Sequence, residues 1–396
     1  MKSLSILASQ VRASTTLAVD SLAKQMKADG LDVIGFGTGE PDFDTPDSIK
    51  QAGIDSILSG QTKYTPAAGI VPLREAVAER LLSDCGVKYT SGEITIASGA
   101  KHNIFVALMA LLNPGDEVIL LAPYWVSYFE MVRMASGVPV EIFAGEEQDF
   151  KITPAQLEAA ITAKTKVLML NNPSNPTGMV YTEDELLEIA RICVKHDIYV
   201  ISDEVYYSLL YDGLKFRSFA TLGDDVKERT ILVNGVSKTY AMTGWRIGYA
   251  AANKEISTVM ANYLSHSTGA PGTMNQWAAL AALRGPQESV EEMRKVFEQR
   301  RDYMVERLNA IEGVSCIQPQ GAFYVMMNIE KLLGKTIDGT VINNDDDFAV
   351  KFLQSGLVAV VPCSGFGAPN FIRWTYAASM EDITEGMDRL EKFLKA

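Results

Sequence analysis

The chain is poor in the residues that build metal centres and covalent staples. Its 396 residues include only four cysteines and three histidines. Cys85, Cys193, Cys316 and Cys363 lie far apart, so neither a CxxC knuckle nor a disulfide framework is expected. His102, His196 and His266 form no ligand cluster, and no metal site is expected. Runs of lysine or arginine are missing, and the formal charge is −13. That balance argues against a nucleic-acid surface, because phosphate neutralisation needs a basic face, yet it leaves a local site free to take small anions. Long hydrophobic runs are absent too. The longest, around ILLAPYWV, is too short to span a bilayer, and the opening MKSLSILASQVRAS lacks the continuous apolar stretch of a signal peptide. A cytoplasmic protein is expected.

What is present is ordinary for a globular protein: 47% hydrophobic and 21% charged residues. The length invites two subdomains, each with its own core. From about residue 70 helical and strand periodicities alternate: VPLREAVAERLL is helical, EITIAS a strand, KHNIFVALMALL helical, EVILLA a strand. VPVEIF, KVLMLNN, IYVISDE, TILVNGV and WRIGYAAA continue the strands, and TEDELLEIARICVKH opens with a capping box from Thr182 to Glu185. Val- and Ile-rich strands alternating with helices predict an α/β fold with a mostly parallel sheet covered on both faces, its ligands bound at the strand C-termini. After about residue 285 a long charged helix leads into GAFYVMMNI, LVAVVPC and FIRWTYA, read as a smaller α+β unit. The first 45 or so residues have no predicted sheet of their own and are expected to pack with it. The expected division is 1–46 as an N-terminal segment, 47–285 as a large domain and 286–396 as a small one.

Four features fall at predicted strand ends. Within ILVNGVSKTYAMTGWRIGYA, Lys238 and Arg246 interrupt apolar runs. A lysine beside a turn is ordinarily solvated, but one held in a low-dielectric site loses its charge and becomes nucleophilic. SGAK, residues 98 to 101, joins a strand to a helix and presents backbone NH groups suited to phosphate, a weak signal in any α/β protein. NNPSNPTG, residues 171 to 178, reads as a rigid turn, which explains its prolines but not the position of Asn175. IYVISDEVYY ends in Asp203 and Glu204, which point to opposite faces, so that one is expected in the site and the other in solvent; Tyr206 follows. Lysine, phosphate cradle, inward carboxylate and arginine are together the parts that pyridoxal 5'-phosphate requires.

GVSKTYAMTGWRIG resembles the lysine signature of the class I aminotransferases position by position, and the likeness extends through GTGEPDFDTP, TKYTPAAGIVPLREA, APYWVSY, NNPSNPTG, SDEVY and FIRWTYA. The chain is similar over essentially its whole length to fold type I pyridoxal phosphate enzymes, and within them to the bacterial-type aspartate aminotransferases. The resemblance implies a large domain with a mostly parallel seven-stranded sheet between helices. It gives Lys238 the cofactor and the α-proton, Asp203 the pyridinium nitrogen, Asn175 and Tyr206 the ring oxygen, and Trp125 a stacking role. Arg246 and the NH groups of Gly99, Ala100 and Lys101 take the phosphate. Tyr64 reaches the phosphate of the neighbouring subunit, which implies a homodimer with shared active sites. Arg373 takes the substrate α-carboxylate, and Gly39 approaches the substrate with its backbone. Many relatives carry serine where this chain has Gly235, and Ser237 is the hydroxyl expected to replace it.

A dicarboxylic substrate needs a second cation, and residues 252 to 283, which hold the partner arginine of the best-known aspartate aminotransferases, contain no arginine. In the bacterial subgroup a lysine at the position of Lys101 binds the distal carboxylate, assisted by a hydroxyl matching Thr16, although Ala13 stands where proline is usual. A cation in the first turn of a helix opposes the helix dipole, which favours a functional reading. The implied reaction is ping-pong transamination from L-aspartate to 2-oxoglutarate, giving oxaloacetate and L-glutamate through pyridoxamine phosphate. Rival readings are prephenate or broader amino-group transfer, a carbon-sulfur lyase, and a non-enzymatic cofactor sensor.

Overall fold

Residues 2–12 and 15–396 are described by the computed structural model, and their apolar runs become fourteen strands. β1 (Ile34–Gly35) lies in the N-terminal segment. β2 (Ile94–Ala97), β3 (Glu117–Ala122), β4 (Val138–Phe143), β5 (Thr165–Asn171), β6 (Tyr199–Asp203), β7 (Thr230–Gly235) and β8 (Gly248–Ala251) form one sheet in the order β2-β8-β7-β6-β5-β3-β4. β8 runs antiparallel to both neighbours and every other pairing is parallel. The expected mostly parallel, seven-stranded α/β sheet is therefore present.

Helices cover both faces, so the central strands bury side chains on both; all six residues of β7 are buried. Alternate residues of β5 feed two cores. Val167 and Met169 join Ile104 and Leu108 of the helix Ala100–Leu111, whereas Leu168 and Leu170 join Leu186 and Ile189 of the helix Glu183–Lys195. The latter helix opens with the capping box expected at Thr182, and Thr153 and Gln156 build a second one ahead of Pro154–Ala160. Each such cap contributes about 1 kcal/mol by satisfying NH groups that the first turn leaves free.

Beyond the long helix Glu288–Ala310 lie β9 (Tyr324–Asn328), the hairpin β10 (Thr336–Ile337) and β11 (Thr340–Val341), then β12 (Val358–Ala359), β13 (Val361–Pro362) and β14 (Phe371–Thr375). β14 is the centre of an antiparallel sheet, β13-β14-β9, and the closing helix Met380–Leu394 packs Leu390 and Phe393 into its core.

Three local expectations need correction. The N-terminal segment does have sheet: β1 pairs in parallel with β12, and Phe36 lies fully buried with its ring centroid 4.9 Å from that of Trp374. Burying that phenyl ring is worth about 1.5–3 kcal/mol, enough to tie the segment to the C-terminal sheet. WRIGYAAA is strand only from Gly248, because Thr243–Trp245 is a 3-10 turn and Arg246 adopts a left-handed φ of 55°. LVAVVPC splits into β12 and β13, with Val360 between them.

Candidate active site

β5, β6 and β7 end together, and the loops after them line a cavity of about 370 Å³ with Asn171, Asp203 and Ser237 on its wall. Lys238 enters it from the short helix Val236–Thr239, which continues β7 directly. Its Nζ donates to the Gly39 carbonyl. Burial, reinforced by Arg246 and Arg373 and opposed by Glu40, lowers the ammonium from 10.5 to about 8. A substantial neutral fraction at neutral pH is what a nucleophilic amine needs.

Asp203, at the end of β6, is 4% exposed and has no cationic partner within ion-pair distance among the described residues. Tyr128 donates to its Oδ2 at 2.6 Å and Val205 N to its Oδ1 at 3.3 Å. Burial raises its carboxyl to about 6 despite those donors. A cation brought alongside restores the ionised form, so this carboxylate is prepared for a positively charged guest.

Glu204 points to the other face, as alternation requires, but it is not solvated: it is 1% exposed. The expectation of a solvated neighbour fails because helices cover both sides of β6. Its Oε1 accepts from Ser202 Oγ and Ser218 Oγ, both at 2.9 Å, and from Phe219 N at 3.1 Å, while Oε2 is unpartnered. Burial raises this carboxyl from 4.5 to about 7. Below the ordinary value folded and unfolded chains both hold the proton; between 4.5 and about 7 the unfolded chain loses it first, so stability falls as pH rises and the full cost stands above about 7. Glu204→Gln cannot ionise. Relative to the parent, its melting temperature is expected to gain about 2–5 °C between pH 5 and pH 8. A pH-independent difference between the two would mean that Glu204 is already ionised in the fold.

At the cavity floor, backbone packs too closely for side chains. Gly99, the N-cap of the helix Ala100–Leu111, has a φ of 87°, and a Cβ there would sit 2.6 Å from an Arg246 guanidinium nitrogen. Gly248 lies against Ala100 N with no room for a Cβ. Arg246 donates to Thr243 O at 2.9 Å and to Ser98 O at 3.4 Å, and so stands beside the free NH groups of that helix. The result is a cationic cradle at a helix N-terminus. Glycine at 235 also has a local cause: a Cβ there would meet Gly248 Cα and Ile247 O, both backbone, at 3.0 Å, so a serine would not fit unaltered. Ser237, 7% exposed, lies on the cavity wall instead.

Arg373 descends from β14 and is 2% exposed. It donates to Asn175 Oδ1 at 3.1 Å and Gly37 O at 2.7 Å; its Nε is unpartnered, and no carboxylate of the described residues forms an ion pair with it. A buried guanidinium without an anion is costly, and Arg373 lines the cavity. Lys101 Nζ lies 4.7 Å from the Trp125 ring centroid. A larger hollow of about 590 Å³ adjoins the cavity at Lys101, Val126 and Ser127 but holds none of Asp203, Lys238 and Arg373.

The structure thus gathers Lys238, Asp203, Tyr206, Asn175, Trp125, Ala100, Lys101, Ser237, Arg246, Gly39 and Arg373 around one cavity. Gly99 lies just beneath it, against Arg246. Tyr64 is not there: its side chain is fully exposed, at 107% of the reference area. Ala13 and the side chain of Thr16 lie outside the described residues. Two groups were missed by sequence reasoning. Tyr128, donor to Asp203, was visible as the third residue after Trp125, on the same side of a helical turn; Tyr324, whose hydroxyl lies 2.9 Å from that of Tyr206, had no signal beyond a place in a buried strand.

Residues 31–390 match the family model described as aminotransferase class I and II. The chain is 49% identical to the aspartate aminotransferase of a Bacillus species, over 98% of this chain and 99% of that protein. It is 46% identical to the aspartate/prephenate aminotransferase of Cereibacter sphaeroides, over 99% of each. Among solved structures, the Thermus thermophilus aspartate aminotransferase with maleate superposes with a TM-score of 0.94 at 41% identity, covering 100% of both chains. A lysine of lowered basicity, a buried carboxylate and a cationic cradle at the ends of parallel strands, in a chain matched over nearly its full length, place it in the class I and II aminotransferase family.

Proposed function

We propose that the chain is an aspartate aminotransferase, transferring the amino group of L-aspartate to 2-oxoglutarate in a homodimer. The observation that carries this reading is a pair of cations on one cavity wall, Arg373 and Lys101, neither with an ion-pair partner among the described residues. A dicarboxylic amino acid needs two cations at a fixed separation. The names of the Bacillus and Thermus relatives, and the dicarboxylate maleate in the Thermus structure, support it.

Pyridoxal 5'-phosphate is the cofactor of this family, and the residues fit it. The glycine-lined cradle at Gly99, Ala100 and Arg246 suits a phosphate, Asp203 suits a ring cation, and Asn175 and Tyr206 suit a ring oxygen, with Trp125 beside them. Bound there, the cofactor supplies an aldehyde for amines and an electron-withdrawing ring that stores the pair released at the substrate α-carbon. The protein does the rest. Arg373 holds the α-carboxylate by its fork, Lys101 holds the distal carboxylate, and Gly39 closes on the substrate through its backbone. Lys238 Nζ, neutral in part near pH 8, takes the α-proton and returns it, and Tyr128 keeps Asp203 aimed into the cavity. One oxo acid leaves before the second enters, so the kinetics are ping-pong.

The exposed Tyr64 supports the dimer: a phenol with nothing to rest on in its own protomer suits a neighbour's phosphate site. No helix among the described residues is long and apolar enough to cross a membrane, and a cytoplasmic location is proposed. We also propose that residues 47–285 act as one body, and 286–396 together with 1–46 as the other.

Lys101→Ala tests the substrate. Its half-reaction with aspartate, read as loss of the cofactor's visible absorbance, is expected to slow about 10- to 100-fold while that with alanine changes little, since one charge-assisted contact is worth about 1.5–3 kcal/mol. Equal slowing of both amino acids would defeat the assignment. The name of the Cereibacter relative favours prephenate as a second acceptor, and competing prephenate against 2-oxoglutarate ranks the two.

A further inference from the structure

Tyr324 opens β9 and pairs with Thr375 of β14, two residues along the strand from Arg373. It is 1% exposed and touches three parts of the cavity at once. Its hydroxyl lies 2.9 Å from that of Tyr206, from the loop after β6. Its ring face lies 4.5 Å from the Arg373 guanidinium, with Phe366 on that guanidinium at 5.1 Å. Gly39 packs against the same hydroxyl so closely that no Cβ fits. Arg373 is held at its edge by Asn175 and Gly37 and over its plane by aromatic rings, leaving the orientation of its fork little freedom.

Two buried phenols 2.9 Å apart form one hydrogen bond, in which either hydroxyl can be the donor. Burial raises both hydroxyls above their ordinary value, so each keeps its own proton. When Tyr324 donates, the proton of Tyr206 is free to point into the cavity, and a phenol that accepts a hydrogen bond becomes a stronger donor. When Tyr206 donates instead, its proton is turned away from any guest.

We infer that Tyr324 is a positioning residue of this site, its hydroxyl aiming the Tyr206 proton and its ring fixing the plane of Arg373. The inference rests on the aminotransferase reading above, in which Tyr206 serves the cofactor's ring oxygen and Arg373 the substrate carboxylate. One side chain of the three-stranded sheet thereby links the cofactor end of the cavity to the carboxylate clamp.

The test uses holoenzyme of the wild type, Tyr324→Phe, Tyr324→Leu, Tyr206→Phe and the double phenylalanine variant. The bond from Tyr206 stabilises the ring oxygen as an anion, so weakening it raises the pH midpoint of the cofactor's visible absorbance change. Tyr324→Phe is expected to raise that midpoint by about 0.5–1 unit, the worth of one hydrogen bond. In the Tyr206→Phe background the same change is expected to add nothing, because the group it acts through is gone. Maleate serves as the probe of the clamp. Its dissociation constant is expected to stay within about 2-fold in Tyr324→Phe, which keeps the ring, and to rise about 3- to 30-fold in Tyr324→Leu, which removes it. An unmoved midpoint in Tyr324→Phe, a shift that persists without the Tyr206 hydroxyl, or equal maleate affinity in the two variants overturns the inference. Should the leucine variant fail to fold, the phenylalanine variant, which lacks one oxygen, still decides the matter. A wild-type protein that takes up no cofactor or leaves aspartate unchanged sinks the aminotransferase reading itself, whereas an active wild type with an unmoved variant sinks only the role of Tyr324.

Discussion

Lys238→Ala is expected to lower aspartate transamination by at least about 10⁴-fold, the upper range of a positioned acid-base group, with no other residue on the cavity wall able to replace it. Asp203 is committed as an anion, the Arg246 and Arg373 guanidinium groups do not release protons at working pH, and Lys101 is committed to the distal carboxylate. Single-turnover mixing with aspartate, followed by the cofactor's absorbance, measures the loss; a variant keeping a hundredth of the parent rate would exclude Lys238 as the proton carrier. The same side chain makes a second, pH-dependent prediction. Only the neutral amine attacks an aldehyde, and burial has moved this ammonium from 10.5 to about 8. Capture of pyridoxal phosphate by the cofactor-free protein is therefore expected to quicken up to about pH 8 and then level off. A rate still climbing at pH 10 would describe an ordinary, solvated lysine.

Arg373→Gln is expected to lower kcat/KM for aspartate by about 10²–10³-fold, most of it in KM, because a carboxylate brought into a buried site without its partner costs about 3–5 kcal/mol. Arg373→Lys keeps the charge but loses the fork and should fall between the two. Stability separates this role from a structural one. Removing one member of a buried ion pair destabilises strongly, whereas Arg373 has no carboxylate partner among the described residues, so Arg373→Gln should melt within a few degrees of the parent. A large loss of melting temperature together with unchanged KM would make Arg373 a structural group.

Periodicity carried the sheet. β5 and β7 are continuous apolar runs because both of their faces are covered, and that same coverage is why Glu204 was misjudged: alternation gives the face a side chain takes, not what covers it. Arg246 stands inside an apolar run that predicts strand, but its left-handed backbone, set between a 3-10 turn and β8, has no signature in residue type. Lys238 and Arg373 stand out as charged residues inside apolar runs, whereas Asp203 at a strand end and Asn175 in a polar turn take their roles from the family resemblance. Tyr324 does not stand out, since a tyrosine in a core satisfies the pattern with its ring, and its hydroxyl finds a partner only once distant strands are brought together; Tyr206 and Tyr324 are 118 positions apart.

The pairing of β1 with β12 has a consequence for how the molecule is made. On a ribosome β1 leaves long before its partner β12. At about 5–20 residues per second the interval is on the order of tens of seconds. During that time Ile34 and Phe36, both buried in the finished protein, have no sheet to join. The seven strands of the larger sheet are complete by Ala251, so they are free to assemble while the first segment waits. The nascent chain must therefore keep an apolar N-terminus from straying until its last third arrives, a demand that falls on the cell's chaperones rather than on the finished fold.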